Sequence, residues 1–478
     1  MIFNFNNSYA KLHKVFYHTV LPDNMPQPET LVFNQNLATE LELKINNPQQ
    51  LIDLLNQIPN NKTINPIATA YAGHQFAYFT MLGDGRALLL GEHLTTDHKR
   101  FDIQLKGSGR TPYSRGGDGK ATLKSMLKEY LFSEALHGLG IPSSRSLAVI
   151  ATGQTVYRET ARQGAVLIRS MEGQIRVGTF EFARYYASTQ QLEQLLNYAV
   201  KRHYPEIQNG NKAIQLLQSV MSSQIEMLIG WMRTGFVHGV MNTDNTSITG
   251  ESFDYGPCAF MGIYHPDTFF SSIDQKGRYA FANQPKILKW NLARFAEALL
   301  PLIHKNQDHA VKMATETINQ FDDCFDQKFQ EMMLAKIGIQ QPIDGDVELA
   351  QDFLRLLKIH RKDFTHSFNY LRLPDFYKNK DFILGAEFVQ WLQKWKHRIN
   401  FNEGKGHAFS IMERYNPFYI PRNYFVEEAL NLAVKGDTEK FNSMLQILKM
   451  PYWYDSEMDN SLFDPPGFDE HFKTTCGT

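Results

Sequence analysis

Hydrophobic and polar positions change their rhythm once along this chain. Up to about residue 182, short runs with β-like character dominate. Residues 87–91 and 101–105 are predicted strands, as are 146–151, 165–169 and 174–178, with Gly173 punctuating the last two as a hairpin. One strong helix is expected at 119–140, its apolar side carried by Leu123, Leu127, Tyr130, Leu131 and Leu139. Beyond 182 the period lengthens. Residues 191–203 and 213–233 repeat their apolar positions as amphipathic helices do, the second more richly. A β-like hairpin is expected within 246–256, and helical segments then dominate from 285 to about 448. Residues 56–65 are polar and read as a surface loop.

This order predicts an α+β fold with the two lobes of a protein kinase. Residues 1–182 would form a mixed N-lobe with a nucleotide-binding sheet, glycine-rich loops and the helix 119–140. Residues 183–478 would form a mostly helical C-lobe with a catalytic loop at 238–256 and a C-terminal tail. Enzymes of many kinds share such an order, so the chemistry has to come from particular residues.

Composition narrows the classes. With 43% hydrophobic residues in 478, the chain can bury a large core. Lys and Arg number 49 against 50 Asp and Glu, which argues against a dedicated nucleic-acid binder. No apolar run reaches the roughly 18 residues of a membrane helix. The first residues lack the basic start and apolar stretch of a signal peptide, so a cytoplasmic protein is expected. The three cysteines, Cys258, Cys324 and Cys476, fit no zinc pattern and form no disulfide framework.

Four constellations carry candidate chemistry. Gly83-Asp84-Gly85-Arg86 precedes the strand at 87–91, where glycines let backbone approach a phosphate, although the same residues make an ordinary turn. Lys106 ends the strand 101–105 and opens a basic, glycine-rich and hydroxyl-rich loop, 107–120, that leads into the helix. Such loops hold anions on free N–H groups. Glu129 and Glu134 are both placed to pair with Lys106, and periodicity does not choose between them. Arg169 and Arg176 flank the expected turn at Gly173 and can converge on one anion. The strongest constellation runs from His238-Gly239-Val240-Met241-Asn242-Thr243-Asp244-Asn245 to Phe253-Asp254-Tyr255-Gly256. There Asn245 and Asp254 occupy the places of the two kinase metal ligands, hard oxygen donors suited to Mg²⁺. One place departs from the kinase pattern. Five residues before Asn245, where a kinase has its base Asp, stands Val240, and the nearest carboxylate is Asp244.

These residues resemble the selenoprotein O family of protein adenylyltransferases over nearly the whole chain. The resemblance is carried by Tyr71-Ala72-Gly73-His74-Gln75-Phe76, Leu82-Gly83-Asp84-Gly85-Arg86, Leu105-Lys106-Gly107 and Thr111-Pro112-Tyr113-Ser114-Arg115. It continues in Gly117-Asp118-Gly119, Ser133-Glu134-Ala135-Leu136, Gly140-Ile141-Pro142, Asn242-Thr243-Asp244-Asn245, Asp254-Tyr255-Gly256-Pro257 and Ile420-Pro421-Arg422-Asn423. It implies a kinase-like fold that binds ATP in reverse and moves AMP, or UMP from UTP, onto Ser, Thr or Tyr of other proteins. Carried over by motif, Gly83, Gly85, Arg86, Lys106, Asp118, Gly119, Arg169 and Arg176 would contact the nucleotide. Glu129 would pair with Lys106, Asp244 would accept the hydroxyl proton, and Asn245 and Asp254 would hold Mg²⁺ or Mn²⁺. The family also tends to end in Cys or selenocysteine third from the C-terminus, where Cys476 stands. A reversible disulfide from Cys476 to another cysteine, with Cys258 near Asp254 as a candidate, would be regulatory. The competing classes are a kinase-type phosphotransferase, which Val240 disfavours, and an inactive scaffold, which would need none of Lys106, Asp244, Asn245 and Asp254.

Overall fold

The computed structural model describes residues 2–60, 64–374, 385–402, 404–454, 468 and 472–474. The chain begins with β1 (Tyr17–Thr19), β2 (Glu29–Phe33), helices α1 (Gln35–Glu40) and α2 (Gln49–Gln57), and β3 (Ile67–Thr69). A small hairpin follows, β4 (Ala72–Gln75) and β5 (Tyr78–Met81). Then come β6 (Ala87–Leu94), β7 (Arg100–Lys106), β8 (Ala121–Thr122), helix α3 (Leu123–Gly138), β9 (Arg145–Tyr157) and β10 (Ala161–Met171). Eight of these strands form one sheet in the order β1-β3-β6-β7-β10-β9-β2, with β8 on β10. All its neighbours run antiparallel.

The remainder is mostly helical. It comprises α4 (Val177–Tyr186), α5 (Thr189–His203), α6 (Lys212–Thr234), the two-residue strands β11 (Phe236–Val237) and β12 (Ala259–Phe260), and α7 (Gln284–Ile303). The helices α8 (Gln307–Lys336), α9 (Asp346–Ile359), α10 (Phe364–Arg372), α11 (Ala386–Asn402), α12 (Lys405–Tyr415), α13 (Asn423–Ala433) and α14 (Glu439–Leu448) complete it. Caps fix several boundaries. Ser188 Oγ accepts from Gln191 N, Asn211 caps α6, and Gly235 closes that helix in the left-handed region at φ +78.

Four local expectations need correction. Residues 174–178 form no strand. The chain leaves β10 at Met171, and Arg176 caps α4, its N–H bonded to Thr179 Oγ1. Residues 246–256 form no hairpin either. Single bridges tie Ser247 to Arg176 and Ser252 to Ser143, because this loop pairs with earlier segments rather than with itself. The helix expected from 119 starts at Leu123, since Ala121 and Thr122 pair with β10 and Thr122 then caps α3. Of the loop expected at 56–65, residues up to Gln57 belong to α2 and Ile58–Asn60 to a 3₁₀ turn whose Ile58 is buried. Position 182 falls inside α4.

The core explains why periodicity could not choose a glutamate on α3. This helix is buried nearly all round, Glu129 and Glu134 included. The sheet covers one side through β9 and β10, and α13 and α14 cover the other. Gly138 lies so close to Leu448 that an added Cβ would meet its carbonyl oxygen at 2.1 Å. A helix enclosed in this way shows no single apolar stripe.

Candidate active site

The sheet register sets the first cluster. Leu167 of β10 faces Lys106 of β7, and Arg169 faces Gln104, so Lys106 and Arg169 share one face of the sheet as diagonal neighbours. Behind them runs α3. Lys106 Nζ donates to Glu129 Oε2 at 2.7 Å and to Oε1 at 3.0 Å, and Arg169 NH1 reaches Glu129 Oε1 at 2.8 Å. Glu134 is committed elsewhere, accepting from Arg145, Asn34 and Ser146 N.

Asp254 enters this cluster from the loop after β11. Its Oδ1 accepts Lys106 Nζ at 2.5 Å and Arg169 NH1 at 2.7 Å, while Oδ2 lies 3.8 Å from Arg176 NH1. Burial alone would raise this carboxyl. Lys106, then Arg169 and Arg176, outweigh that and hold it well below the ordinary range. Asp254 adopts a left-handed backbone, φ +64, that few residues other than glycine tolerate. His238 Nε2 lies 3.0 Å from Phe253 O and its ring stacks on Trp231, which ties the turn to α6.

Arg176 is buried between the rings of Tyr71 and Phe253, 4.3 and 4.8 Å from their centroids. Its NH1 donates to Asp244 O at 2.9 Å, and NH2 is 3.8 Å from Asp84 Oδ1. Arg169 and Arg176 therefore converge as expected, but through a strand and a helix cap rather than across a hairpin.

The two glycine-rich loops pack on each other. A Cβ at Gly83 would sit 2.3 Å from the Tyr113 ring and one at Gly85 2.9 Å from Tyr113 O, so these two glycines are needed first for the contact between loops. Within the second loop, a Cβ at Gly119, whose φ is +69, would sit 1.9 Å from Gly109 O. Arg86 is half-buried at the end of the first loop, and its carbonyl accepts Gly107 N at 2.7 Å. Asp118 is gripped by Arg158 from the tip of the β9–β10 hairpin, at 2.9 and 3.1 Å.

The catalytic-loop residues sit opposite. Asp244 is buried. Oδ2 accepts from Gln75 Nε2 at 3.3 Å, and Oδ1 has no hydrogen-bond partner. Burial raises its carboxyl to about 6, against the pull of Arg176. Asn245 Nδ2 donates to Val240 O at 3.0 Å, so Val240 supports the Asn245 amide through its backbone. One cavity of about 600 Å³ is lined by Gly83, Gly85, Arg86, Lys106, Asp118, Gly119, Arg169, Arg176, Val240, Asp244, Asn245 and Asp254 together. Glu129 stands behind Lys106. Cys258 is buried four positions beyond Asp254, and Cys476 lies outside the described residues.

The family model described as "Protein adenylyltransferase SelO" matches residues 1–449. The chain belongs to this family. Relatives called "Protein nucleotidyltransferase YdiU" include those of Pelagibacter ubique and Geobacillus kaustophilus, each 47% identical over 99% of this chain and 99% of the relative. That of Clostridium botulinum is 47% identical over 99% of this chain and 98% of its own length.

Sequence reasoning assigned no role to several residues of the family's cleft. Asp84 appeared only as part of a turn, yet it is buried, accepts Thr69 N and Oγ1, and faces Arg176. Tyr71 and Gln75 belong to the hairpin segment, whose signal was an uncharged stretch from Tyr71 to Gly83 broken only by His74. Arg158 gave no signal, because its partner Asp118 is forty residues away.

Proposed function

We propose that this chain moves AMP from ATP to Ser, Thr or Tyr hydroxyls of other proteins and releases pyrophosphate, with UTP as an alternative donor. Membership of a protein adenylyltransferase family and relatives named as protein nucleotidyltransferases support the reaction class. One observation carries the choice of phosphorus. Lys106, Arg169 and Arg176 crowd one deep carboxylate, while Val240 fills the place of a kinase base. A nucleotide held with its outer phosphates toward the arginines and the 107–120 loop would present its α-phosphorus to the catalytic loop.

In that arrangement the acceptor oxygen attacks the α-phosphorus and a new P–O bond forms. The α–β anhydride bond breaks and pyrophosphate leaves. The hydroxyl proton passes to Asp244, which lines the cavity and whose Oδ1 has no hydrogen-bond partner. Lys106, Arg169 and Arg176, all buried side chains, balance phosphate charge there. The donor set fits a hard divalent cation. Asn245 and Asp254, two hard oxygen donors, line one cavity with Asp244, whose Oδ1 is unpartnered. That suits Mg²⁺ or Mn²⁺, which take one or two protein oxygens and fill the rest of their shell from phosphates and water. The cation would neutralise triphosphate charge.

The reading keeps two lobes, 1–182 and 183–478, with the cleft between the sheet and the helices and α4 shared at their junction. It also keeps a cytoplasmic setting. Among the described residues no helix is long and apolar enough to cross a membrane. A redox link from Cys476 to Cys258 stays within the proposal. Its support is that Thr474 Oγ1 donates to Pro257 O at 2.7 Å, which brings the chain two residues before Cys476 beside Cys258. Intact-mass analysis of an acceptor protein after incubation with the enzyme, ATP and Mg²⁺ tests the function. Gain of an adenylyl mass is expected, and gain of a phosphoryl mass would replace this reading with a kinase.

A further inference from the structure

Asp244 is held by two elements. On one side runs β4, where a Cβ at Gly73 would meet Asp244 Oδ1 at 2.6 Å and Gln75 bonds Oδ2. On the other runs α4, where Arg176 bonds Asp244 O and a Cβ at Gly178 would stand 3.3 Å from Asp244 Cα. Something has to keep β4 against α4. The structure joins them through one polar contact. His74 Nδ1 of β4 lies 2.5 Å from Glu181 Oε1 of α4. The same His74 donates its backbone N–H to Thr243 Oγ1 at 2.7 Å, one residue before Asp244.

Glu181 is not a surface residue that happens to find a histidine. It is 1% exposed, and its second oxygen, Oε2, is buried with no hydrogen-bond partner. Keeping such a carboxyl on a helix is costly, and a structural helix face would carry an apolar residue there. Burial raises Glu181 to about 7 and, followed by the charge of Arg294, lowers His74. Burial thus disfavours the charged form of each partner, so the contact favours a neutral imidazole beside a neutral carboxyl over a buried ion pair. The His74 ring is fixed edge-on to Trp290 and tilted on Phe79, so its position is set by packing as well as by Glu181.

We propose that Glu181 and His74 are positioning residues that clamp β4 onto α4 and thereby hold Thr243 and Asp244 at the reacting hydroxyl. This rests on the reading of Asp244 as the proton acceptor. Lys106 and Arg169 are held by a network around Glu129 and Asp254 that neither residue touches, and only Arg176, through Asp244 O, joins the two, so the pair should govern turnover far more than nucleotide binding.

The test uses the full-length enzyme with Glu181→Ala, Glu181→Gln, His74→Ala and the double alanine variant. Its readouts are steady-state protein labelling, ATP affinity and thermal midpoint. Glu181→Ala and His74→Ala should each lower kcat about tenfold or more, since small displacements of a reacting group are expensive. ATP affinity should stay within about twofold, and the double variant should be no slower than either single one, as coupled residues behave. Glu181→Gln should recover most of the rate, because a carboxamide can still bond Nδ1. Wild-type kcat in both single variants, or losses that multiply in the double one, would overturn the proposal. If Glu181→Ala does not fold, His74→Ala and Thr243→Val, which break the chain at other points, decide it by the same criteria. Asp244→Ala is run alongside. If it keeps full activity, the reading of Asp244 fails, while the coupling of Glu181 to His74 can still be read from the cycle.

Discussion

Lys106 Nζ stands 2.5 Å from Asp254 Oδ1 and 2.7 Å from Glu129 Oε2, so one buried ammonium ties the sheet, helix α3 and the loop after β11 together. Arg169 duplicates both contacts through a single nitrogen, NH1. The cations proposed to bind phosphate and a candidate metal ligand are thus pre-assembled by one charge network.

Removing Asp254 should be costly twice over. Asp254→Ala takes away a proposed metal ligand and should abolish transfer, as should a chelator. It also leaves Lys106, Arg169 and Arg176 facing one another with less compensation. A loss of about 3 kcal/mol is expected for a broken buried pair, reduced here because Asp254 is partly exposed. Activity assays and thermal melts check both. Full activity in Asp254→Ala would remove the metal assignment.

Lys106→Ala should lower the rate by about 10² or more, the size of a lost transition-state contact in a water-poor site. Arg176→Ala should weaken nucleotide binding and, because NH1 also holds Asp244 O, slow turnover as well. Titration of ATP and single-turnover labelling separate the two effects. Unchanged affinity and rate in both variants would mean that the phosphate pocket lies elsewhere.

The acid limb of kcat/KM should follow Asp244. Its carboxyl is raised to about 6, and only the carboxylate accepts a proton, so activity should rise as pH passes upward through about 6. Glu181→Gln should leave that limb in place. Stability runs the other way. The folded state holds more protons than the unfolded between the ordinary Asp value and about 6, so Asp244 makes the protein less stable as pH rises through that window. Asp244→Asn should therefore be inactive, yet melt at or above the wild-type temperature at neutral pH. A lower midpoint would show that the carboxylate is compensated by contacts beyond those described.

Gly73→Ala tests the packing around Asp244 without touching a charge. Its Cβ would meet Asp244 Oδ1 at 2.6 Å and Asp244 Cβ at 2.9 Å, both within one buried side chain. Overpacking of this kind costs about 1–3 kcal/mol. Turnover should fall much further than stability, and labelling rates set beside melts would reveal it.

The sequence made the strands bearing Lys106 and Arg169 legible because each has a clear local pattern and a charged residue at a telling place. By spacing alone it also singled out Asn245 and Asp254, which line the same cavity. It misread 174–178 and 246–256, where short β-like runs bond to distant segments, Ser247 to Arg176 and Ser252 to Ser143, and no local signal records that. The choice between Glu129 and Glu134 was invisible to periodicity because α3 is enclosed on both sides. His74 stands out in the sequence only as part of a family motif, since no ligand spacing surrounds it. Its partner Glu181 is more than a hundred residues away on another element.

The central claim is that the α-phosphorus is the one attacked. Enzyme and acceptor protein are incubated separately with ATP labelled on the α- and on the γ-phosphate, with wild type and Asp244→Ala side by side. Attack at the α-phosphorus gives label in protein from α-labelled ATP alone, stoichiometric release of pyrophosphate, and loss of both in Asp244→Ala. Protein labelled from the γ-phosphate alone would contradict it.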